Sequence, residues 1–255
     1  MEVIALQSGS NGNCIYVEAD GVRLLFDAGI SGRQAEQRLA GCGREIRDVE
    51  ALLISHDHSD HASGMGIYQR KFGIPVYVSE PTLRAAVRSH RLGELSDVRH
   101  FESGAALRFG HVMVETIRTP HDAADGVGFV VDDGQHRVGI LTDLGHAFPG
   151  LADVVRSLDG LILESNYDPH LLATGRYGPS LRARIVGPGG HLSNLEAAEL
   201  LLEAGCSRLQ WVCLGHLSEE NNHPELAAEA QRRTIGSQLP VLVASRTRAT
   251  EGLRF

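Results

Sequence analysis

His56-Asp57-His58-Ser59-Asp60-His61 is the stretch that decides how this chain reads. It follows Ala51-Leu52-Leu53-Ile54, an apolar run with the pattern of a short buried strand. Three imidazoles and two carboxylates then fall within six positions. Side chains at a strand end can converge on one point outside the sheet. His56 and His58, two apart, point the same way while extended geometry lasts. Asp60 and His61 come after the chain has turned and can face a second ion. A loop with nothing to hold gains nothing from so ordered a set of nitrogen and oxygen donors.

Working outward, further donors stand where strands are expected to end. Glu115 to Arg118 runs into Thr119-Pro120-His121, and Gln210 to Leu214 runs into Gly215-His216. Asp143 closes Gly139-Ile140-Leu141-Thr142-Asp143-Leu144-Gly145, which echoes Leu24-Leu25-Phe26-Asp27-Ala28-Gly29. Both are apolar strands ending in Asp-x-Gly. Each donor alone carries little weight; after the 56–61 cluster they carry more.

The pattern around them alternates strands and helices. Strands are expected at 2–6, 14–18 and 22–27, with a helix over 31–40 that Ser31 caps. After the cluster, one helix is expected from His61 to Phe72, a strand at 74–78 and a helix over 80–89 opened by Pro81. Residues 97–118 read as strands. Asp133-Gly134 marks a hairpin between 128–132 and 137–142. Further strands are expected at 161–164, 209–214 and 240–244. A helix over 193–204 shows a Ser193/Glu196 capping box, and another covers 224–234. Hairpins with interspersed helices imply two sheets covered by helices. No low-complexity stretch divides the chain, so a single domain over 1–255 is expected.

Composition sets limits. The chain has 255 residues, 42% hydrophobic and 22% charged, within the range of globular proteins. A net charge of −8 argues against binding polyanions through bulk charge, but two bound cations bring their own positive charge. Cys14, Cys42, Cys206 and Cys213 form no zinc knuckle, and Cys14 and Cys213 read as inert core thiols. A cytoplasmic protein without a signal peptide or membrane span is expected.

The order Asp27, His56-x-His58-x-Asp60-His61, His121, Asp143, His216 resembles the metallo-β-lactamase superfamily. That resemblance implies an α/β fold, an αββα sandwich of two mixed sheets covered by helices. It implies two divalent metal ions, zinc or manganese foremost and iron as a further option. His56, His58 and His121 hold one ion, Asp60, His61 and His216 the other. Asp143 bridges them, and Asp27 steadies the cluster from behind. Ser8-Gly9-Ser10-Asn11-Gly12-Asn13-Cys14, Glu164-Ser165-Asn166-Tyr167-Asp168, Gly190-His191-Leu192-Ser193-Asn194 and His216-Leu217-Ser218-Glu219-Glu220-Asn221-Asn222 are similar to the YycJ/WalJ-like nucleases. Tyr167 departs from that pattern, which leads one to expect histidine.

The implied activity is 5′-to-3′ exonuclease action on DNA, with a metal-bridging hydroxide as nucleophile that Asp60 orients. His191 is expected to grip phosphate or to donate a proton, and Asn194 to touch substrate. The Ser8–Asn13 loop reads equally as a phosphate cradle or a hairpin turn, and Arg176, Arg182 and Arg184 as a nucleic-acid path or a solvated face. His90, His100, His111, His136, His146 and His170 are expected on the surface. A small-molecule phosphodiester or thioester hydrolase on the same fold is the alternative enzyme. A metal-stabilised binding protein is the non-enzymatic one.

Overall fold

Alternation of apolar residues over the first 26 positions produces an antiparallel meander. β1 (Glu2–Gln7), β2 (Cys14–Ala19) and β3 (Val22–Phe26) pair in that order. Asp20 and Gly21, both at positive φ, make the tight turn between β2 and β3. The computed structural model describes all 255 residues, and the chain falls into two compact units. The first contains 1–118, 123–127 and 245–255.

In this first unit Ser31 and Gln34 form a capping box that starts α1 (Gly32–Gly41). β4 (Ala51–Leu53) then joins parallel to β3. The single helix expected from His61 to Phe72 is instead two, α2 (Ser59–Ala62) and α3 (Met65–Phe72). The break is at Gly64, whose N–H donates to Ala28 O at 2.8 Å. A Cβ there would lie 2.6 Å from the same oxygen. β5 (Val76–Val78), α4 (Glu80–Ser89) and β6 (Val98–His100) follow, β5 and β6 extending the parallel part of the sheet. β7 (Ala106–Phe109) and β8 (Val112–Arg118) form an antiparallel hairpin. Ile4, Leu6, Tyr16, Leu25, Leu52 and Tyr68 centre the core of this unit.

The second unit, 119–122 and 128–244, repeats the mixture of strand directions. β9 (Val127–Asp132) and β10 (Arg137–Leu141) pair antiparallel across the expected Asp133-Gly134 turn. After α5 (Leu151–Arg156), β11 (Gly160–Glu164) lies parallel to β10. α6 (Pro169–Thr174), α7 (Pro179–Val186) and α8 (Asn194–Ala204) precede β12 (Trp211–Gly215), which is parallel to β11. α9 (Pro224–Ile235) and β13 (Val241–Val243) complete the parallel run. β11 and β12 are buried at every residue, which explains their apolar sequences up to Glu164 at the end of β11. The chain then returns to the first unit, where β14 (Leu253–Arg254) pairs with β1.

Three helices and one strand, α5, α6, α7 and β14, have no counterpart in the sequence expectations. They have two to eight residues each, too short for an apolar period to show. All four cysteines are free, and burial pushes the Cys14 and Cys213 thiols up to about 12. Both are inert core groups, as expected.

Candidate metal centre

Parallel strands direct their C-terminal ends to one side, and the donors are built on those ends. In the first unit the end of β3 leads into Asp27 at φ 64°, a left-handed conformation unusual for a residue with a side chain. The end of β4 leads into Ser55 and His56. Asp27 Oδ1 accepts from Ser55 N at 2.8 Å. Its Oδ2 accepts from Ser55 Oγ at 2.9 Å and from His61 Nδ1 at 2.7 Å. A carboxylate on Nδ1 fixes the tautomer and leaves Nε2 as the donor for an ion. The His56 ring stands 4.7 Å from that of His58 and 4.1 Å from that of His61. His56 and His61 are buried, and the short helix α2 carries Asp60 and His61 together. Gly29 is required here: a Cβ would sit 1.7 Å from Asp60 O.

Asp57, inside the cluster, faces away from this role. Its Oδ1 accepts from Ala124 N at 2.8 Å, and its carbonyl lies 2.7 Å from His90 Nε2. His90 therefore steadies the ligand loop, where the sequence suggested only a surface histidine.

In the second unit three adjacent parallel strands end in donors. Asp143 follows β10, Glu164 ends β11 and His216 follows β12, the first and last at φ 55° and 56°. Glu164 is fully buried and organises the group. Its Oε1 accepts from His191 Nδ1 at 2.8 Å and His216 Nδ1 at 3.0 Å. Its Oε2 accepts from Leu144 N at 3.1 Å and Leu192 N at 3.0 Å. Burial opposes its ionisation, but the charge and hydrogen bond of His191 and the bond from His216 prevail, holding the carboxyl down at about 2. His121 Nδ1 donates to Gly190 O at 2.9 Å. Asp143 Oδ1 lies 3.5 Å from His121 Nε2. Gly145, at φ 65°, has no room for a side chain: a Cβ would lie 2.4 Å from Pro120 O.

The donor set fits hard-to-borderline divalent cations. One ligand atom each from Asp143, Glu164, His191 and His216 lie within 4.8 Å of one another. His61, His121 and His216 each have Nδ1 engaged by an oxygen, which presents Nε2 outward. No cysteine takes part, so nitrogen and oxygen alone would hold the ions.

Glu164 is the site residue that sequence reading missed. Its signal in the sequence is a carboxylate closing an otherwise apolar strand. Ser55 was missed too, because a bracing residue carries no distinctive spacing. Asn194, expected to touch substrate, is held inside the protein. It is buried, its Oδ1 accepts from Ser165 Oγ at 2.6 Å, and its Nδ2 donates to Asn222 Oδ1 at 2.9 Å. Those bonds brace the start of α8. Tyr167 is also internal, buried and bridged to Ser193.

Arg184 is held by the Asp122 carboxylate and Arg182 by the carbonyls of Ala173, Gly175 and Tyr177, so both have structural tasks. The Ser8–Asn13 loop is a turn rather than an amide cradle. Gly9 N donates to Asn13 Oδ1, Gly12 N to Gly9 O and Asn13 N to Asp60 O.

Comparison with known proteins bears on this arrangement. Residues 8–210 match the family model of the metallo-beta-lactamase superfamily. The exodeoxyribonuclease WalJ of Streptococcus pneumoniae is 39% identical over 226 residues, 87% of this chain and 83% of that protein. The exodeoxyribonuclease YycJ of Bacillus anthracis is 34% identical over 224 residues, 87% of this chain and 84% of that one. The metallo-beta-lactamase fold protein YhfI from Bacillus subtilis superposes with a TM-score of 0.73 at 17% identity, covering 98% of this chain and 99% of that one.

Proposed function

The chain belongs to the metallo-beta-lactamase superfamily, a family of hydrolases, and from that premise we propose that it is a dinuclear phosphodiesterase acting as a 5′-to-3′ exonuclease on DNA. The observation that carries this reading is the Glu164 carboxylate with the groups around it. It aligns His216 for an ion and His191 for substrate through the same oxygen. The identity to two exodeoxyribonucleases over most of the chain favours DNA as substrate.

In this proposal residues 1–255 act as one functional domain, since the family match runs through both units. His56, His58 and His121 hold one divalent ion; Asp60, His61 and His216 hold the other; Asp143 serves both. Two such cations, zinc or manganese foremost, supply Lewis acidity at phosphate and a nucleophile near neutral pH. Asp60 orients the attacking water. Asp27 keeps His61 in the tautomer that offers Nε2. His191, with Nδ1 on Glu164, gives a proton from Nε2 to the departing oxygen. Free cysteines favour the cytoplasm, and no helix is long and apolar enough to cross a membrane.

Protein reconstituted with Mn2+ or Zn2+ should shorten 3′-labelled single-stranded DNA stepwise and release the label of 5′-labelled DNA as mononucleotide at once, and chelation should stop both. His191→Ala should keep its ions yet lose roughly 10²–10⁴-fold on DNA, and far less on a p-nitrophenyl phosphodiester, whose leaving group needs no proton. Turnover of a thioester or small phosphodiester with DNA and RNA untouched would overturn the nuclease reading.

A further inference from the structure

Asn13 sits at the base of the Ser8–Asn13 turn, and its side chain reaches a ligand rather than solvent. The orientation of its amide is set by its neighbours. Oδ1 accepts from Ser8 Oγ at 3.1 Å and from Gly9 N at 3.0 Å, so Nδ2 is the end that points inward. Nδ2 has three acceptors within reach: Gly9 O at 3.1 Å, Asp60 O at 3.3 Å and His61 Nε2 at 2.9 Å. An amide nitrogen has only two hydrogens, so one acceptor is expendable.

The His61 end is equally defined. Nδ1 carries the hydrogen, because it lies 2.7 Å from Asp27 Oδ2. Nε2 therefore presents its single lone pair, and Asn13 donates to it. His61 is fully buried, and an acceptor left without a donor there would cost free energy. The same lone pair is the one a cation needs.

We propose that Asn13 is a positioning residue that caps His61 Nε2 in the ion-free protein and yields it when the second cation binds, so that Asn13 sets the affinity of that ion. The inference rests on the two-ion reading above and adds a residue that holds no ion itself. Release costs little, because Nδ2 keeps Gly9 O and Asp60 O as partners. The ligand loop also stays in place without the side chain. Asn13 N donates to Asp60 O at 2.8 Å, and Asn13 O accepts from Gly29 N at 2.9 Å. One residue thus holds the Asp60–His61 pair ready while preventing His61 from being left bare.

The test is calorimetric titration of ion-free protein with Mn2+, with unfolding midpoints measured before and after loading. Asn13→Ala removes the competing donor and should tighten the weaker of two ions by roughly threefold to tenfold, the range one net hydrogen bond commands. Asn13→Asp keeps an oxygen for Ser8 and Gly9 and puts a second carboxylate oxygen near His61 Nε2. It should tighten the weaker ion by at least about tenfold. Both variants should lower the midpoint of ion-free protein more than that of loaded protein. Should the alanine variant fail to fold, the aspartate variant decides, since it keeps the bonds from Ser8 Oγ and Gly9 N. Two ions with unchanged affinities in the variants would overturn the role of Asn13 alone. A wild-type chain that takes one ion would overturn the two-ion reading and this inference with it.

Discussion

The two Asp-x-Gly turns use one backbone device for two tasks. Asp27 and Asp143 both follow buried strands, both stand at positive φ, and both are followed two residues later by a glycine pressed against another backbone. Gly29 abuts Asp60 O, and Gly145 abuts Pro120 O, so each turn is locked beside a ligand. The carboxylates then differ because their neighbours differ. Asp27 is ringed by hydrogen donors, Ser55 N, Ser55 Oγ and His61 Nδ1, which makes it a brace. Around Asp143 the ring hydrogens of His191 and His216 go to Glu164, and that of His121 goes to Gly190 O. The Glu164 carboxylate and the three imidazoles beside Asp143 make a donor set that fits a cation. What surrounds the turn decides its use, while the strand and the glycine only aim it.

That contrast predicts a graded series. Asp143→Ala should be the most damaging change, with loss of bound ions and a fall in hydrolysis beyond the roughly 10–100-fold typical of losing a bracing partner. Asp27→Asn should fall within that range of about 10–100-fold in metal affinity or activity. Equal losses in the two variants, by elemental analysis and kinetics together, would erase the distinction between brace and ligand.

Gly145→Ala and Gly29→Ala should each cost stability on the order of 1–3 kcal/mol by denaturant unfolding. The cause at Gly145 is both its left-handed φ and contact; at Gly29 it is contact alone, which displaces Asp60. Wild-type stability in both would mean that the turns are not locked.

A further effect is confined to acid. The Glu164 carboxyl, lowered to about 2 in the folded chain, contributes stability above roughly pH 4.3, where an unfolded glutamate titrates. That contribution is lost as pH falls toward about 2. Ion-free Glu164→Gln should therefore be less stable than wild type at neutral pH, with the gap closing through that window. A gap constant with pH would remove the charged Glu164 from the account.

Much of this was legible in the sequence because strand ends and metal donors both leave strong local marks. The apolar run before His56, the Asp133-Gly134 turn and the Ser31 and Ser193 caps placed their elements close to where they lie. The donor-bearing strand ends were found in the same way. What escaped depends on contacts distant in sequence. Gly64 breaks a helix because Ala28 O is there to meet it, and Glu164 acquires its role from His191 and His216, 27 and 52 residues away. Asn194 carries the residue type of a substrate contact, and its bonds to Ser165 and Asn222, 29 and 28 residues away, leave no mark in the local sequence.

The most direct measurement is the number of divalent ions held by reconstituted protein, by elemental analysis against protein concentration, for wild type and for Asp143→Ala. The account predicts two per chain in wild type and a marked loss in Asp143→Ala, the residue proposed to serve both ions. One ion per chain in wild type, or two retained in Asp143→Ala, would contradict it.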